Sequence, residues 1–195
     1  MSSEQEKINA MSTGKIIITV FCLLVYGKCF SQQLSAEEQK LYDMIMKYRK
    51  EKGLPVIPLS NALTVVAQTH VKDLVNNKPD KGKCNAHSWS SNGNWKACCY
   101  TSDHAQAECL WSKPRELTSY KGNGFEIACG SNECCSDFKM TAEYALQSWK
   151  SSNGHNALIV NSGIWKNKNW GAIGIGLYKS FAVVWFGEET DKVSE

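Results

Sequence analysis

Residues 171–186, GAIGIGLYKSFAVVWF, form the stretch that decides the fold. From Ala172 to Tyr178, Ile and Leu alternate with small residues, which is the period of a β-strand. Lys179 and Ser180 then occupy a two-residue turn, although neither is the Gly or Asn that is usual there. Residues 181–186 are apolar on both faces, which predicts a central strand covered on both sides. The stretch therefore predicts an antiparallel hairpin inside a layered fold.

Two helices are predicted nearer the N-terminus. Ser35 and Glu38 have the spacing of a capping box, and apolar residues recur at helical spacing after them until Gly53. Ser60 is a good N-cap for a second helix that ends at about residue 76. His70 lies on the apolar stripe of this second helix. We interpret it as a core histidine or as one that supports a neighbouring site residue.

The middle of the chain is polar and rich in Gly and Cys. Residues 77–125 predict a long irregular segment held by cross-links, with a short strand near residues 86–89. Residues 124–129, GFEIAC, predict a short buried strand that carries one acid, Glu126.

A third helix is predicted to begin near Ser136 or Asp137 and to end at residues 153–154, followed by a short helical turn from His155. Helices early in the chain, strands late and helices between them predict an α+β layered fold.

The composition bounds the class of protein. The chain has 195 residues, of which 43% are hydrophobic and 21% are charged, and this excludes a disordered chain, a collagen-like fibre and a polytopic membrane protein. The net charge of +3 is dispersed, so the electrostatic footprint of a nucleic-acid-binding protein is absent.

The N-terminal segment is typical of a signal peptide. Residues 16–26 are apolar and uncharged, too few to span a bilayer, and Lys15 precedes them. We predict a signal peptide over residues 1–31, with Met11 as a possible true start, and a single domain over residues 32–195. A buried strand and an uncleaved anchor are the alternatives. The protein is then secreted, or periplasmic in a Gram-negative source.

Nine cysteines are the strongest compositional signal, and seven of them follow residue 31. In an oxidising compartment they predict up to three disulfides with one cysteine left over, as a free thiol or an intermolecular bridge. A zinc site is the first alternative, but the adjacent pairs Cys98–Cys99 and Cys134–Cys135 lack the usual CxxC spacing. A catalytic Cys is the second alternative.

Three residues are the main candidates for chemistry: His87, His155 and Glu126. Two His and one Glu are the minimum for holding a divalent cation with one open position, and they suit general acid–base catalysis as well. Each also has a structural interpretation, as a solvated loop residue, a helix-terminating residue and an edge-strand acid respectively. His104, between cysteines in a loop, is a weaker candidate.

Five segments together resemble one known family. Residues 48–74 resemble the two opening helices of the CAP superfamily (SCP/TAPS), the cysteine-rich secretory, antigen 5 and pathogenesis-related-1 proteins. HSW at 87–89 resembles the first His motif, and GFEI at 124–127 resembles the GEN-I motif. WKSSNGHN at 149–156 is similar to the W-x-x-S-P-G-H segment of the bacterial-type branch. GAIGIGLY at 171–178 is similar to the G-x-G-x-G strand.

The resemblance implies an α-β-α sandwich around a central antiparallel sheet, secreted and disulfide-stapled. It also implies a central cleft that holds zinc or another divalent metal through His87 and His155, with Glu126 as the first acid and as the catalytic candidate. The second acid of the animal-type branch falls on Ser152, which cannot act as a carboxylate.

Three functions are compatible with this resemblance, because a fold alone does not determine function. The first is a secreted, monomeric binding protein for a lipid, a glycan or a protein, without nucleic acid and without a transmembrane anchor. The second is a metal-dependent, peptidase-like hydrolase, in which Glu126 orients or deprotonates a metal-bound water. The third is a purely structural extracellular module. Whether the protein is an enzyme is left open.

Overall fold

The structure, a computed structural model, describes residues 33–132 and 137–191. The predicted signal peptide over residues 1–31 lies outside the described residues, and so do Cys134 and Cys135. Within these two ranges no helix combines the length and the apolar character that a membrane crossing requires.

An antiparallel sheet forms the centre of the described part of the chain. Its strands are β1 (Phe125–Gly130), β2 (Ala172–Tyr178) and β3 (Phe181–Gly187), in the order β1-β3-β2. The predicted hairpin is confirmed, and β3 is central and buried along its whole length. Lys179 adopts the positive φ of 50° at the turn, where Gly or Asn is more usual.

The two predicted N-terminal helices are confirmed with their caps. Helix α1 spans Ala36–Glu51, and the capping box of Ser35 and Glu38 is complete. Helix α2 spans Asn61–Asn77, and the Ser60 side chain caps it. The remaining helices are α3 (Ala107–Trp111), α4 (Lys113–Leu117), α5 (Ala142–Ser151), α6 (Asn153–Ile159) and a 3-10 helix (Gly163–Trp165).

The sheet is covered on both faces, as the α-β-α sandwich requires. Side chains of α1, α5 and α6 form one buried cluster with Ile173, Ile175 and Val184. Side chains of α2, α3 and the loop before it form the second cluster with Val183 and Trp185. Because successive side chains of a strand point to opposite faces, β3 contributes to both clusters.

Two glycines of β2 allow α2 to lie directly on the sheet. A Cβ atom at Gly174 would lie 2.1 Å from the backbone carbon of Leu63, and one at Gly176 would lie 2.5 Å from that of Ala67. Such approaches are shorter than any van der Waals contact, so only Gly fits at these positions. The close approach fixes the height of α2, and therefore of His70, above the sheet.

The predicted start of the third helix is wrong. Helix α5 begins at Ala142 and is capped by Thr141, whereas Asp137 lies outside it. The backbone N–H of Met140 donates to the carbonyl of Lys179 at 2.7 Å, which holds the preceding segment against the hairpin turn instead of in a helix.

The Cys-rich segment differs from its prediction in detail. The strand expected near residues 86–89 is a single antiparallel bridge between Trp89 and Cys98. Helices α3 and α4 were not predicted. A disulfide between Cys84 and Cys99 closes the loop around the bridge, in agreement with the predicted disulfide-stapled fold.

Candidate functional site

The alternation of β1 determines which way Glu126 points. Phe125 and Ile127 pack in the cluster with α1 and α5. Glu126 lies between them and opposite Trp185, so its carboxylate points to the other face, towards α2. The Glu126 side chain has no exposed surface. A carboxylate buried in this way requires partners on the facing helix and loop.

His70 of α2 is the first of these partners. Its Nδ1 lies 2.5 Å from Oε2 of Glu126, and its Nε2 lies 2.9 Å from the carbonyl oxygen of Ser88. The ring is fully buried and stacks on Trp89, with 4.2 Å between the centroids and 7° between the planes. Both ring nitrogens and one face of the imidazole are thus fixed.

These contacts determine where the protons are. The Ser88 carbonyl can only accept, so Nε2 of His70 carries a hydrogen. Burial alone would raise the pKa of Glu126, but the charge of His70 and the hydrogen bonds from His70 and His87 outweigh it and hold this pKa below its usual value. Glu126 is therefore ionised at neutral pH, and the 2.5 Å contact is a charged hydrogen bond from His70.

His87 is the second partner of the carboxylate. Its Nδ1 lies 2.7 Å from Oε1 of Glu126, and its side chain is 20% exposed. The side chain of Asn85 accepts from the backbone N–H of His87 at 3.0 Å and shapes this turn. Because the ionised carboxylate fixes the hydrogen of His87 on Nδ1, the lone pair of the neutral ring is on Nε2.

His155 lies next to His87, on helix α6. The two ring centroids are 6.4 Å apart. Burial lowers the pKa of His155, and the neighbouring His87 lowers it further, while Glu126 acts in the opposite direction. His155 is therefore neutral at pH 7, which is the form that binds a metal ion.

Helix α1 holds the short helix that carries His155. The hydroxyl of Tyr48 donates to the side chain of Asn156 at 3.0 Å. Arg49 is buried and donates to the carbonyl of Ile159 and to the side chain of Asn161, each at 2.6 Å. These bonds tie the middle and the C-terminal end of α6 to the same helix.

Tyr100 and His104 extend this row of rings. The Tyr100 ring centroid is 5.3 Å from that of His87, and its hydroxyl lies 3.0 Å from Nδ1 of His104. Burial raises the pKa of Tyr100, and the charge of Glu126 adds to the increase. His104 thus contacts the site through Tyr100 and not through the carboxylate.

The structure brings together the three residues singled out from the sequence, His87, His155 and Glu126, and adds His70 as a direct partner of the acid. Helical periodicity had placed His70 on an apolar stripe, but it gave no sign of which residue it contacts. Across residues 33–132 and 137–191, no group of three or more His, Cys, Asp or Glu side chains is arranged to hold a metal ion. A cation here would have only the two imidazoles of His87 and His155.

Solved structures of bacterial proteins share this fold. The chain is similar to an outer surface protein from Borrelia burgdorferi, with 16% identity and a TM-score of 0.53, over 81% of this chain and 97% of that one. It is similar to an extracellular protein containing a SCP domain from Bacillus anthracis str. Ames, with 19% identity and a TM-score of 0.53, over 82% of this chain and 45% of that one.

A third similar structure is a cysteine-rich secretory protein from Staphylococcus aureus subsp. aureus Mu50, with 15% identity and a TM-score of 0.50, over 81% of this chain and 40% of that one. The chain therefore spans less than half the length of the Bacillus anthracis and Staphylococcus aureus proteins. No protein of curated function matches the sequence.

The family itself is identified by the sequence profile that matches residues 42–166, described as "CAP: Cysteine-rich secretory protein family". The matched residues run from α1 to the 3-10 helix and include His70, His87, Glu126 and His155. Together with the shared fold, this match shows that the chain belongs to the CAP family, an extracellular type of protein.

Proposed function

We propose that this CAP domain works outside the cell as a binding protein, and that its cleft holds a divalent cation through Nε2 of His87 and the imidazole of His155. One observation carries the proposal. The chain of hydrogen bonds from His70 through Glu126 to His87 fixes the tautomer of His87 and leaves Nε2 with its lone pair. A carboxylate behind a metal-binding His is the usual way to orient such a ligand.

The donor set fits a weakly held cation with open positions. Two neutral imidazoles suit zinc and its neighbours in the transition series. Catalytic zinc sites use three protein ligands, whereas the described residues supply two here. A bound cation would supply positive charge that attracts an anionic or carbonyl oxygen of a ligand.

The geometry favours binding over hydrolysis. Both oxygens of Glu126 already accept hydrogen bonds, from His70 and His87, and the carboxylate is fully buried. In this arrangement Glu126 is a positioning residue for His87. Direct action of Glu126 on a water molecule stays a prediction, and so does a peptidase-like activity.

The ligand of the proposed binding function is an extracellular lipid, glycan or protein. The rings of His87 and His155 lie side by side in the site, and Tyr100 and His104 extend this row with further aromatic surface. Tyr and His rings present apolar faces with polar edges, which suits ligands that combine both characters.

Calorimetric titration of the chelator-treated protein with zinc tests the cation site. We expect about one zinc ion per chain, with binding weakened at least about tenfold in His87→Ala and in His155→Ala, as for loss of one of two ligands. His104→Ala is the matched control, because His104 lies beside the site without contacting Glu126. Equal zinc binding in all four proteins would contradict the proposed site.

A second measurement separates binding from hydrolysis. The wild type and His87→Ala are compared on a panel of lipids and glycans and on unstructured peptides, with and without zinc. Binding that depends on His87 without turnover supports the proposal. Zinc-dependent cleavage that is lost in Glu126→Gln would instead show the hydrolase.

A further inference from the structure

Two cysteines outside the disulfide described above lie against each other. The Sγ atom of Cys98 is 4.0 Å from the carbonyl oxygen of Gln106, and the Sγ atom of Cys109 is 3.7 Å from the carbonyl oxygen of Ala97. Ala97 directly precedes Cys98, and Gln106 lies within one helical turn of Cys109. Each thiol therefore contacts a backbone carbonyl within three residues of the other cysteine.

The backbone holds both thiols in this position. Cys98 exchanges two backbone hydrogen bonds with Trp89, at 2.8 and 2.9 Å. Cys109 lies in α3, where the N–H of Leu110 donates to the carbonyl of Gln106 at 3.3 Å. Because each cysteine belongs to hydrogen-bonded structure, the pair is pre-positioned, and little chain entropy has to be lost to join it.

We propose that Cys98 and Cys109 form a second disulfide, which joins α3 to the bridge between Trp89 and Cys98. The Cys84–Cys99 disulfide supports this pairing, because it shows that the adjacent cysteine is already cross-linked on the other side of the same segment. It also removes Cys99 as a competing partner.

The reaction requires an oxidant, and a small-molecule disulfide such as oxidised glutathione supplies it. A surface cavity of about 590 Å³ lined by Ala97, Cys98 and Gln106 gives such a molecule room beside Cys98, and Cys109 is itself partly exposed. Cys109 reacts first, because it is only partly buried, whereas burial, followed by the neighbouring Cys109 thiol, raises the pKa of Cys98 to about 12.

The exchange balances in two steps. The Cys109 thiolate attacks one sulfur of the small disulfide, forms a mixed disulfide and releases one small thiolate, which takes up the proton that Cys109 gave up. The Cys98 sulfur then attacks the Cys109 sulfur and expels the second small thiol, which receives the proton of Cys98. The two protein thiols lose two electrons and two protons, and the small disulfide is reduced to two thiols.

The cross-link would affect the candidate site indirectly, through the residues that support His70. Cys98 is bridged to Trp89, and Trp89 stacks on His70, which binds Glu126. Fixing Cys98 to α3 therefore restrains the segment that presents the indole to His70. This role does not depend on whether a cation binds in the cleft.

Peptide mapping without reduction tests the pairing. The full chain is exported into an oxidising compartment, incubated with oxidised glutathione and alkylated. Cleavage by trypsin and then before Asp103 gives the separate peptides 84–96, 97–102 and 103–115. We expect one species in which all three peptides are joined by two disulfides. Linkage of 84–96 to 97–102 with 103–115 alkylated would overturn the proposal.

Single variants assign the two bonds. In Cys98→Ser, peptide 103–115 should be freed while 84–96 stays linked to 97–102; the reverse pattern would overturn the pairing. In Cys109→Ser, the 84–96 linkage should persist, and the unfolding midpoint should fall by roughly 5 °C under oxidising conditions but not after reduction. Cys129→Ser is the matched control, in which the three-peptide species should be unchanged.

Discussion

Nδ1 of His70 lies 2.5 Å from Oε2 of Glu126, and neither side chain has any exposed surface. The two residues are 56 positions apart in the sequence and come from α2 and β1. A buried charge is stable only with its partner in place, so each of these residues offsets the cost of burying the other. The pair is the rigid support on which His87 rests.

Replacement of His70 by Ala should destabilise the protein by about 3 to 5 kcal/mol, because the buried Glu126 carboxylate loses its charged partner. Denaturant unfolding measures the loss. Lys72→Ala is the matched control, since Lys72 is exposed on the same helix, and it should change the free energy of unfolding by less than about 0.5 kcal/mol. Equal effects of the two substitutions would show that the pair does not contribute to stability.

The stability that Glu126 contributes should depend on pH. Its pKa in the folded state is lower than its ordinary value of 4.5, so its contribution is present above about pH 4.5 and is lost as the pH falls through the folded-state pKa. The difference in unfolding free energy between the wild type and Glu126→Gln should therefore be largest near neutral pH and shrink in acid.

Urea unfolding of both proteins in the presence of a chelator, from about pH 7 down to about pH 3, measures this difference. The chelator removes any contribution from a bound cation. Glu126→Gln keeps the shape of the side chain and removes its charge, so it isolates the ionisation. A difference that stays constant over the whole pH range would contradict the assignment of Glu126 as an ionised partner of His70.

A methyl group at Gly174 should be costly because of the backbone of α2. The added Cβ would lie 2.1 Å from the Leu63 carbon, and a helix backbone cannot give way as a flexible side chain does. We expect Gly174→Ala to lose about 3 kcal/mol or more in thermal or urea unfolding. Gly154→Ala is the control: apart from its chain neighbours and the nearby backbone of its own helix, no atom lies within 4 Å of its Cβ position in α6, and Ala favours helix, so stability should rise slightly.

The parts of the fold that local chemistry decides could be predicted from the sequence. The capping box of Ser35 and Glu38 and the alternation of β2 are complete within a few residues, and both are confirmed. Helices α3 and α4 could not be predicted, because five residues each are too few to show a helical period. The predicted start of α5 was wrong because a contact with Lys179, which is distant in the sequence, holds Met140 outside the helix.

The candidate site follows the same division. His87, His155 and Glu126 were singled out by residue type and by the resemblance, and the structure places them side by side. The hydrogen bond between His70 and Glu126 could not be predicted from the sequence, because it depends on how closely α2 lies on the sheet. Gly174 and Gly176 set that distance. In the sequence, their alternation with Ile and Leu predicts only a β-strand.

Arg49 should be required to hold His155 in place. It is buried, burial lowers its pKa to about 10, and it donates to the carbonyls of Pro55 and Ile159 and to the Asn161 side chain. Arg49→Met removes these donors and leaves buried acceptors without partners, so we expect a loss of about 3 kcal/mol in urea unfolding.

Hydrogen exchange distinguishes an anchor of α6 from a residue that only stabilises the whole fold. In Arg49→Met the amides of residues 153–159 should exchange faster relative to those of β3, because the C-terminal end of α6 loses its attachment to α1. Arg115→Met is the matched control, since Arg115 is exposed and pairs with Glu108 at the surface, where an ion pair contributes less than about 1 kcal/mol. If exchange in α6 and in β3 rose by the same factor in Arg49→Met, the residue would support the whole fold and not the position of His155.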